Sequence, residues 1–330
     1  MTNNFKIIKE SAKYAATLEK EFEKHDKISP TADLVAFWRS FSDIPYALEI
    51  SELSQAKETT FELFNKYLPN FSRKQILNVI ESITFSFGAP MIEARYKCLD
   101  KQIKKSGIKN IYEIAAGISP RSIILTENPE IIYFATDLPK KVSNNKKNLS
   151  AILKKHKLIR NNLYFYPVNA LDEQQFLSIG NKLNGPICVV HEGLLPYFNR
   201  KEKSILGNNI KKLLIKKGGC WITPDIMCRD KMEERMAKRT EKEKEILFFV
   251  MSVIFGVSER DMIKNAFESE EDAESFFEDL GFLVNKFPKY DDNFNISSLK
   301  YLPDDLEKEK SLSFNKNGYI YVLYLDKNKN

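Results

Sequence analysis

Residues 109–139 read KNIYEIAAGISPRSIILTENPEIIYFATDLP. Two short runs rich in β-branched and aromatic residues, NIYEIAA and IIYFAT, flank a glycine-marked turn and a short helical segment, about the length a βαβ unit needs. The second run ends on Asp137, 20 residues beyond Gly117. In an open α/β sheet, ligands settle in the crevice at the carboxyl ends of the strands, so both residues are expected at a binding site. The dinucleotide fingerprint GxGxxG is absent, because Ala115 stands where its first glycine would fall. The turn therefore offers little to a pyrophosphate, whereas an acidic strand end can accept both hydroxyls of a ribose. The small residues Ala115, Ala116 and Gly117 let the backbone approach such a ligand closely. A nucleoside-containing ligand is expected.

The alternation continues downstream. A helical pattern over residues 140–156 leads to LYFYPVN, and one over 173–183 leads to PICVVHEG. A helix over 199–217 precedes GGCWITPDI, a fifth strand, and this rhythm predicts a parallel, doubly wound sheet. Residues 228–256 interrupt it: CRDKMEERMAKRTEKEKE, with Glu234 four before Lys238, reads as one long charged helix running into ILFFVMSVIFG. SEEDAESFFEDLGF is a helix with Ser269 as N-cap and Gly281 at its end, and LVNKFPKY returns the chain to the sheet. The chain closes on the strand GYIYVLYLDK. The expected fold class is α/β, a doubly wound seven-stranded sheet with an antiparallel last strand. A helical N-terminal cap over 1–105 and a core over 106–330, with a crevice-covering insertion at about 226–268, complete the plan.

Upstream, residues 1–28 read as a charged helix, and Ser29-Pro30 opens a second one with Leu34, Val35, Trp38 and Phe41 on one stripe. Ile76, Val79, Ile80, Ile83 and Phe87 share a face until the breaker Gly88-Ala89-Pro90. A further helix over 91–105 carries the stripe Ile92, Tyr96, Leu99 and Ile103, and Gly107 caps its end. Arg95 projects from that stripe, and a buried guanidinium requires an anion.

Composition narrows the function classes. With 43% hydrophobic and 29% charged residues, the chain is that of a soluble globular protein. The net charge of +6 is spread along the sequence, and no zinc knuckle or RNP pattern accompanies it, so a nucleic-acid partner is not expected. Cys98, Cys188, Cys220 and Cys228 lack CxxC spacing, which argues against structural disulfides and zinc. The N-terminus MTNNFKIIKES lacks the apolar stretch of a signal peptide, and the longest apolar run, over 246–255, is half of the roughly 20 residues a membrane span needs, so the expected location is the cytoplasm.

Four successive strand ends now carry small or polar residues: Gly117, Asp137, Asn169 and Glu192. EIAAGISPR resembles the ELGAGxDTR turn, TDLP an acidic strand end, VNALD a VDLxD segment, and EGLLPYF the EGLLMYL signature of the leucine carboxyl methyltransferase family. That family also contains bacterial polyketide-type O-methyltransferases, and Arg95 in MIEARYKCLD is similar to the arginine of its AxRTxxxD helix. The resemblance spans roughly residues 30–225 and implies the class I, Rossmann-like fold with S-adenosyl-L-methionine as cofactor. It implies that Arg95 pairs with the methionine carboxylate and that Ala115 and Gly117 line the methionine part. Asp137 would bind the ribose, Asn169 and Ala170 would flank the adenine, and Glu192 would sit near the amino acid end, with Glu113 also counted among the cofactor residues. The sequence departs from the pattern at Ala115 and at Asn169, the latter in place of an aspartate.

The implied reaction is methyl transfer to an oxygen of a small molecule or of a protein carboxylate. A carboxylate acceptor needs no general base, whereas a phenol or alcohol does, and His191 is the nearest candidate. Simpler readings stand beside these. Arg95 could pair with a buried carboxylate such as Glu113. His191 opens no HExxH motif, because position 195 is Leu195, and it reads as a core histidine. The apolar run over 246–255 reads as core rather than as a lid or dimer surface. Methylation of RNA or a tRNA base, and a catalytically silent binding protein on the same fold, are the competing functions.

Overall fold

The computed structural model describes residues 29–328 except 238, 259, 291–293, 303, 306–307, 310 and 313–317, and omits the side chains of residues 29–30, 86–87, 242, 246 and 255–257. The helix expected over residues 1–28, Lys238 and the side chain of Phe87 lie outside the described residues.

Seven strands form one sheet: β1 (Asn110–Glu113), β2 (Ile132–Asp137), β3 (Leu163–Pro167), β4 (Ile187–Val190), β5 (Gly219–Thr223), β6 (Phe282–Pro288) and β7 (Tyr319–Leu325). Their order is β3-β2-β1-β4-β5-β7-β6. The first five are parallel, and β7 runs antiparallel between β5 and β6. The sequence expectation of seven strands with an antiparallel last one is met. The strand order reverses between β1 and β4, which fixes the crevice above their carboxyl ends.

The central strands β1, β4 and β5 are buried at nearly every position because both faces are covered, and apart from Asn110, Glu113 and Thr223 their side chains are apolar. Ile111, Tyr133, Cys188, Cys220 and Ile222 face Leu99 and Ile103 of the helix Ala89–Lys105. Tyr112, Phe134, Val189 and Trp221 face the opposite way, onto Phe176, Leu206, Leu213 and Phe277. All four cysteines are buried free thiols. Among the described residues, no helix is long and apolar enough to cross a membrane.

The helices Ser29–Arg39, Ala56–Tyr67 and Arg73–Ile83 share a separate core around Leu34, Trp38, Phe64 and Ile80. Phe249, Val250 and Val253 of the insertion complete it, so these positions of the run over 246–255 pack inward as expected, while Phe248 is exposed. Two local expectations are corrected. Gly88-Ala89-Pro90 does not end a helix: a π-turn over Thr84–Gly88 carries the chain straight into Ala89–Lys105. Pro90 has no N–H for the carbonyl four residues back, and a wide turn accommodates that loss. Gly88 serves packing instead, since a Cβ there would stand 2.6 Å from Trp38 Cε2. The charged insertion is also two helices, Arg229–Ala237 and Glu241–Ser258, rather than one. Thr240 caps the second: its Oγ1 accepts from Glu243 N (3.3 Å), while its own N–H donates to Glu243 Oε2 (2.8 Å).

Candidate active site

The turn after β1 holds two left-handed residues, Ala115 (φ 50°) and Gly117 (φ 55°). They fold the chain back so that Gly117 N donates to Asp137 Oδ2 at 2.9 Å, while Leu138 N donates to Asp137 Oδ1 at 2.7 Å. The two positions singled out from their spacing are thus directly bonded. Burial pushes the Asp137 carboxyl pKa up, and the two N–H donors pull against that rise. The cap helix Ser29–Arg39 lies over this turn, close enough that a Cβ on Gly117 would stand 3.9 Å from that of Ala32.

Ala115 is strained, because a side chain in the left-handed region costs roughly 1–2 kcal/mol. Ala115→Gly should raise the unfolding free energy by about 1 kcal/mol in urea titration, despite the greater freedom of glycine in the unfolded chain. A destabilised variant would show that the alanine methyl is held by contacts worth more than the strain.

At the end of β3, Asn169 is exposed and its Oδ1 accepts the Leu171 N–H at 3.1 Å. An amide oxygen has a second lone pair, which remains available for an adenine amine. Ala170 is buried, and its carbonyl accepts from Asn209 Nδ2 at 3.0 Å.

Beneath the crevice lies a cluster of three arginines and three carboxylates. Arg121, fully buried, donates from Nε to Asp100 Oδ1 (2.6 Å), from Nη1 to Glu113 Oε1 (2.8 Å) and from Nη2 to Glu192 Oε2 (2.6 Å). Arg95 Nε donates to Glu192 Oε1 at 2.8 Å, and Arg39 Nη2 stands 3.6 Å from the same oxygen. Arg39 Nη1 also donates to the Ile118 carbonyl at 2.8 Å, tying the cap helix to the turn. Tyr96 lies against both, 4.4 Å from the Arg121 guanidinium carbon and 5.1 Å from that of Arg39. Burial favours the neutral form of Glu192, but Arg95, Arg121 and Arg39 outweigh it and hold the carboxyl well below the usual carboxylate range.

Glu113 and Glu192 therefore both point at guanidinium groups. The carboxylate beside Arg95 is Glu192; Glu113 belongs to Arg121. Arg95 remains 19% exposed, and only its Nε is bonded among the described residues. Sequence reasoning assigned no role to Arg121, Arg39 or Asp225. A signal for Arg121 existed in part: Glu113 and Glu192 lie in mainly apolar runs, and buried carboxylates demand a cation, whereas Asp100 lies among lysines and gave none.

Asp225, just after β5, organises the loop that follows β4. It accepts Gly193 N at 2.7 Å on Oδ1 and Leu194 N at 2.7 Å on Oδ2, and it receives His191 Nδ1 at 2.9 Å. Trp221 Nε1 donates to His191 Nε2 at 3.0 Å, which requires that nitrogen to be unprotonated and the proton to sit on Nδ1. His191 is completely buried with both ring nitrogens engaged, so it is a core histidine and cannot serve as a general base. From above, Tyr197 Oη lies 3.1 Å from Thr31 Oγ1 of the cap helix, so the EGLLPYF segment is held on both sides.

No protein-family model matches the chain, and no curated protein sequence matches it. Solved structures do align with it. A Nostoc punctiforme PCC 73102 protein provisionally described as an O-methyltransferase aligns over 74% of this chain and 60% of its own, at 14% identity and TM-score 0.44. The S-adenosylmethionine-dependent methyltransferase SibL aligns over 86% of this chain and 71% of its own, at 11% identity and TM-score 0.47. Magnesium protoporphyrin IX methyltransferase of Synechocystis PCC 6803 aligns over 72% of this chain and 86% of its own, at 11% identity and TM-score 0.41. The chain thus spans less than two thirds of the length of the Nostoc protein.

Proposed function

We propose that the crevice binds S-adenosyl-L-methionine and that the chain is an O-methyltransferase acting on a small molecule or a protein carboxylate. The observation that carries this reading is the pairing of Asp137, hydrogen-bonded to the Gly117 turn, with Arg95, whose terminal guanidinium nitrogens have no bond among the described residues. One suits a ribose, the other a carboxylate, and they stand on either side of the strand-order reversal. Few ligands carry both a nucleoside and an amino acid end.

The cofactor would supply a methyl group on a sulfonium, an activated leaving group. The protein's own residues then bind and align. Asp137 would accept the ribose hydroxyls, and Arg95, steadied by Glu192, would grip the α-carboxylate. Asn169 and Ala170 would border the adenine. The cap helix, fastened through Arg39 and Thr31, would exclude water from the reacting centre. The leucine carboxyl methyltransferase resemblance and a cytoplasmic setting belong to the same proposal.

Calorimetric titration with S-adenosylmethionine tests it. Binding in the roughly micromolar range, about −8 kcal/mol, is expected. No heat and no thermal shift at millimolar ligand would remove the reading.

A further inference from the structure

The positive charge expected to be spread along the chain is concentrated in one stretch. Residues 138–171 carry seven lysines and Arg160, and no acidic residue. Without these eight, 43 of the 51 basic residues remain against 45 acidic ones, a net charge of −2, so this stretch supplies the whole excess of +6. It forms the helix Pro139–Lys155, the loop after it and the edge strand β3.

The helix is about 25 Å long. Val142, Asn145, Leu149 and Ile152 make its inner face, of which Leu149 and Ile152 pack with Ile50 and Ile123. Lys140, Lys146, Lys147, Lys154 and Lys155 lie exposed around the rest. A merely solvated helix gains from glutamates spaced four residues from its lysines and from acids in its first turn, and this one has neither. Partners from other elements are few. Lys155 and His156 share Glu49 at 2.8 Å each, and Arg160 stands 3.4 Å from Glu127. Lys146, Lys147, Lys154 and Lys157 make no hydrogen bond or ion pair among the described residues. Lys157 stands just past the helix end at φ 54°, a left-handed position that glycine fills at lower cost. The lysine there is kept against the preference of the backbone.

We infer that this face docks an acidic protein. Its chemistry selects that class over nucleic acid. Seven of the eight cations are lysines, and the one arginine gives its Nε and Nη1 to the carbonyls of Ile123 and Ile159, which occupies the planar fork that suits phosphates. The helix has no aromatic residue on which a base could stack. Tyr164, the exposed aromatic of the stretch, packs edge-on against Phe134 on the other face of the sheet. Aliphatic side chains flank the charge instead, Leu138 before the helix and Ile159, 77% exposed, after it. A protein that sets apolar contacts among its carboxylates matches both features. Leu138 N donates to Asp137 Oδ1, so a protein lying along this helix reaches the rim of the crevice. The inference goes beyond the methyltransferase reading and does not depend on it.

Fluorescence anisotropy of the full chain tests it with two labelled probes. One is an acidic peptide of about 17 residues, long enough as a helix to span the face, with glutamate at most positions and leucine at every fourth. The other is an oligouridylate of equal charge. The peptide should bind at low salt, and the combined variant Lys146→Gln, Lys147→Gln, Lys154→Gln and Lys157→Gln should weaken it at least about tenfold. The combined variant Lys57→Gln, Lys74→Gln, Lys201→Gln and Lys216→Gln removes the same charge from exposed positions elsewhere, and it should leave binding within about twofold. Ile159→Asp, which adds an acid beside the lysines, should weaken the peptide about tenfold. Absence of peptide binding overturns the inference, as does an equal loss in the two combined variants or an Ile159→Asp protein that binds as well as the native one. Tighter binding of the oligouridylate through the same lysines overturns it too, and assigns the face to nucleic acid.

Discussion

Arg121→Met should lower the unfolding free energy by about 3–5 kcal/mol, read by chemical denaturation at neutral pH. The methionine keeps much of the apolar stem but strands the carboxylates of Asp100, Glu113 and Glu192, each held at 2.6–2.8 Å by a different guanidinium nitrogen. Arg95 and Arg39 can still face Glu192, but Arg121 is the partner shown for both Asp100 and Glu113. Arg121→Lys should rescue little, because an ammonium is a point charge and cannot direct a planar fork at three oxygens at once. The pH dependence has a definite sign. Glu192 in the native protein has a depressed pKa, so its contribution is complete above its unfolded value of about 4.3 and fades as pH falls through that value toward the lower folded one. The gap between native and variant proteins should therefore be largest at neutral pH and narrow as pH falls, beginning above about pH 4 because burial raises the Asp100 and Glu113 carboxyls and continuing below it for Glu192. A loss under about 1 kcal/mol would mean that water or rearranged arginines satisfy the cluster, and that the site floor is not rigid.

The same cluster shows where sequence reading runs out. Strands β4 and β5 were legible because a strand buried on both faces is apolar at nearly every position, and that pattern is local; β1 was legible from its β-branched and aromatic neighbours despite Asn110 and Glu113. Gly117 and Asp137 were legible because the βα turn and the next strand end lie within one supersecondary unit. Arg121 sits inside the motif EIAAGISPR, yet two of its partners, Asp100 and Glu192, lie 21 and 71 residues away. No periodicity marks such a pairing. Gly88 misled for the same reason: its neighbour Trp38 comes from another helix, so a residue that serves packing looked like a breaker. The break at Thr240 was readable in principle, for Thr240 and Glu243 form a capping pattern, but the surrounding Glu and Lys residues keep helical spacing and concealed it.

Arg95→Met should weaken S-adenosylmethionine binding about 100-fold while leaving the fold nearly as stable as before. The two effects separate because Glu192 keeps Arg121 at 2.6 Å and Arg39 at 3.6 Å when Arg95 is removed, and Arg95 is already partly exposed. A charge-assisted bond from a guanidinium to a carboxylate in a half-buried site is worth roughly 2–3 kcal/mol, which sets the size of the expected loss. The contact can also be removed from the ligand side. Decarboxylated S-adenosylmethionine retains the ribose, adenine and sulfonium but offers Arg95 nothing, so the native protein should bind it about 100-fold more weakly than the intact cofactor. If Arg95 seats the carboxylate, the two losses are one interaction counted from either end, and Arg95→Met should bind both ligands with nearly equal affinity. Continued discrimination by the variant would place the carboxylate elsewhere, with Arg39 the next cation at hand, because its buried Nε has no partner among the described residues. Asp137→Asn supplies the contrast: it should weaken both ligands by the same factor, since its contact is with the ribose they share.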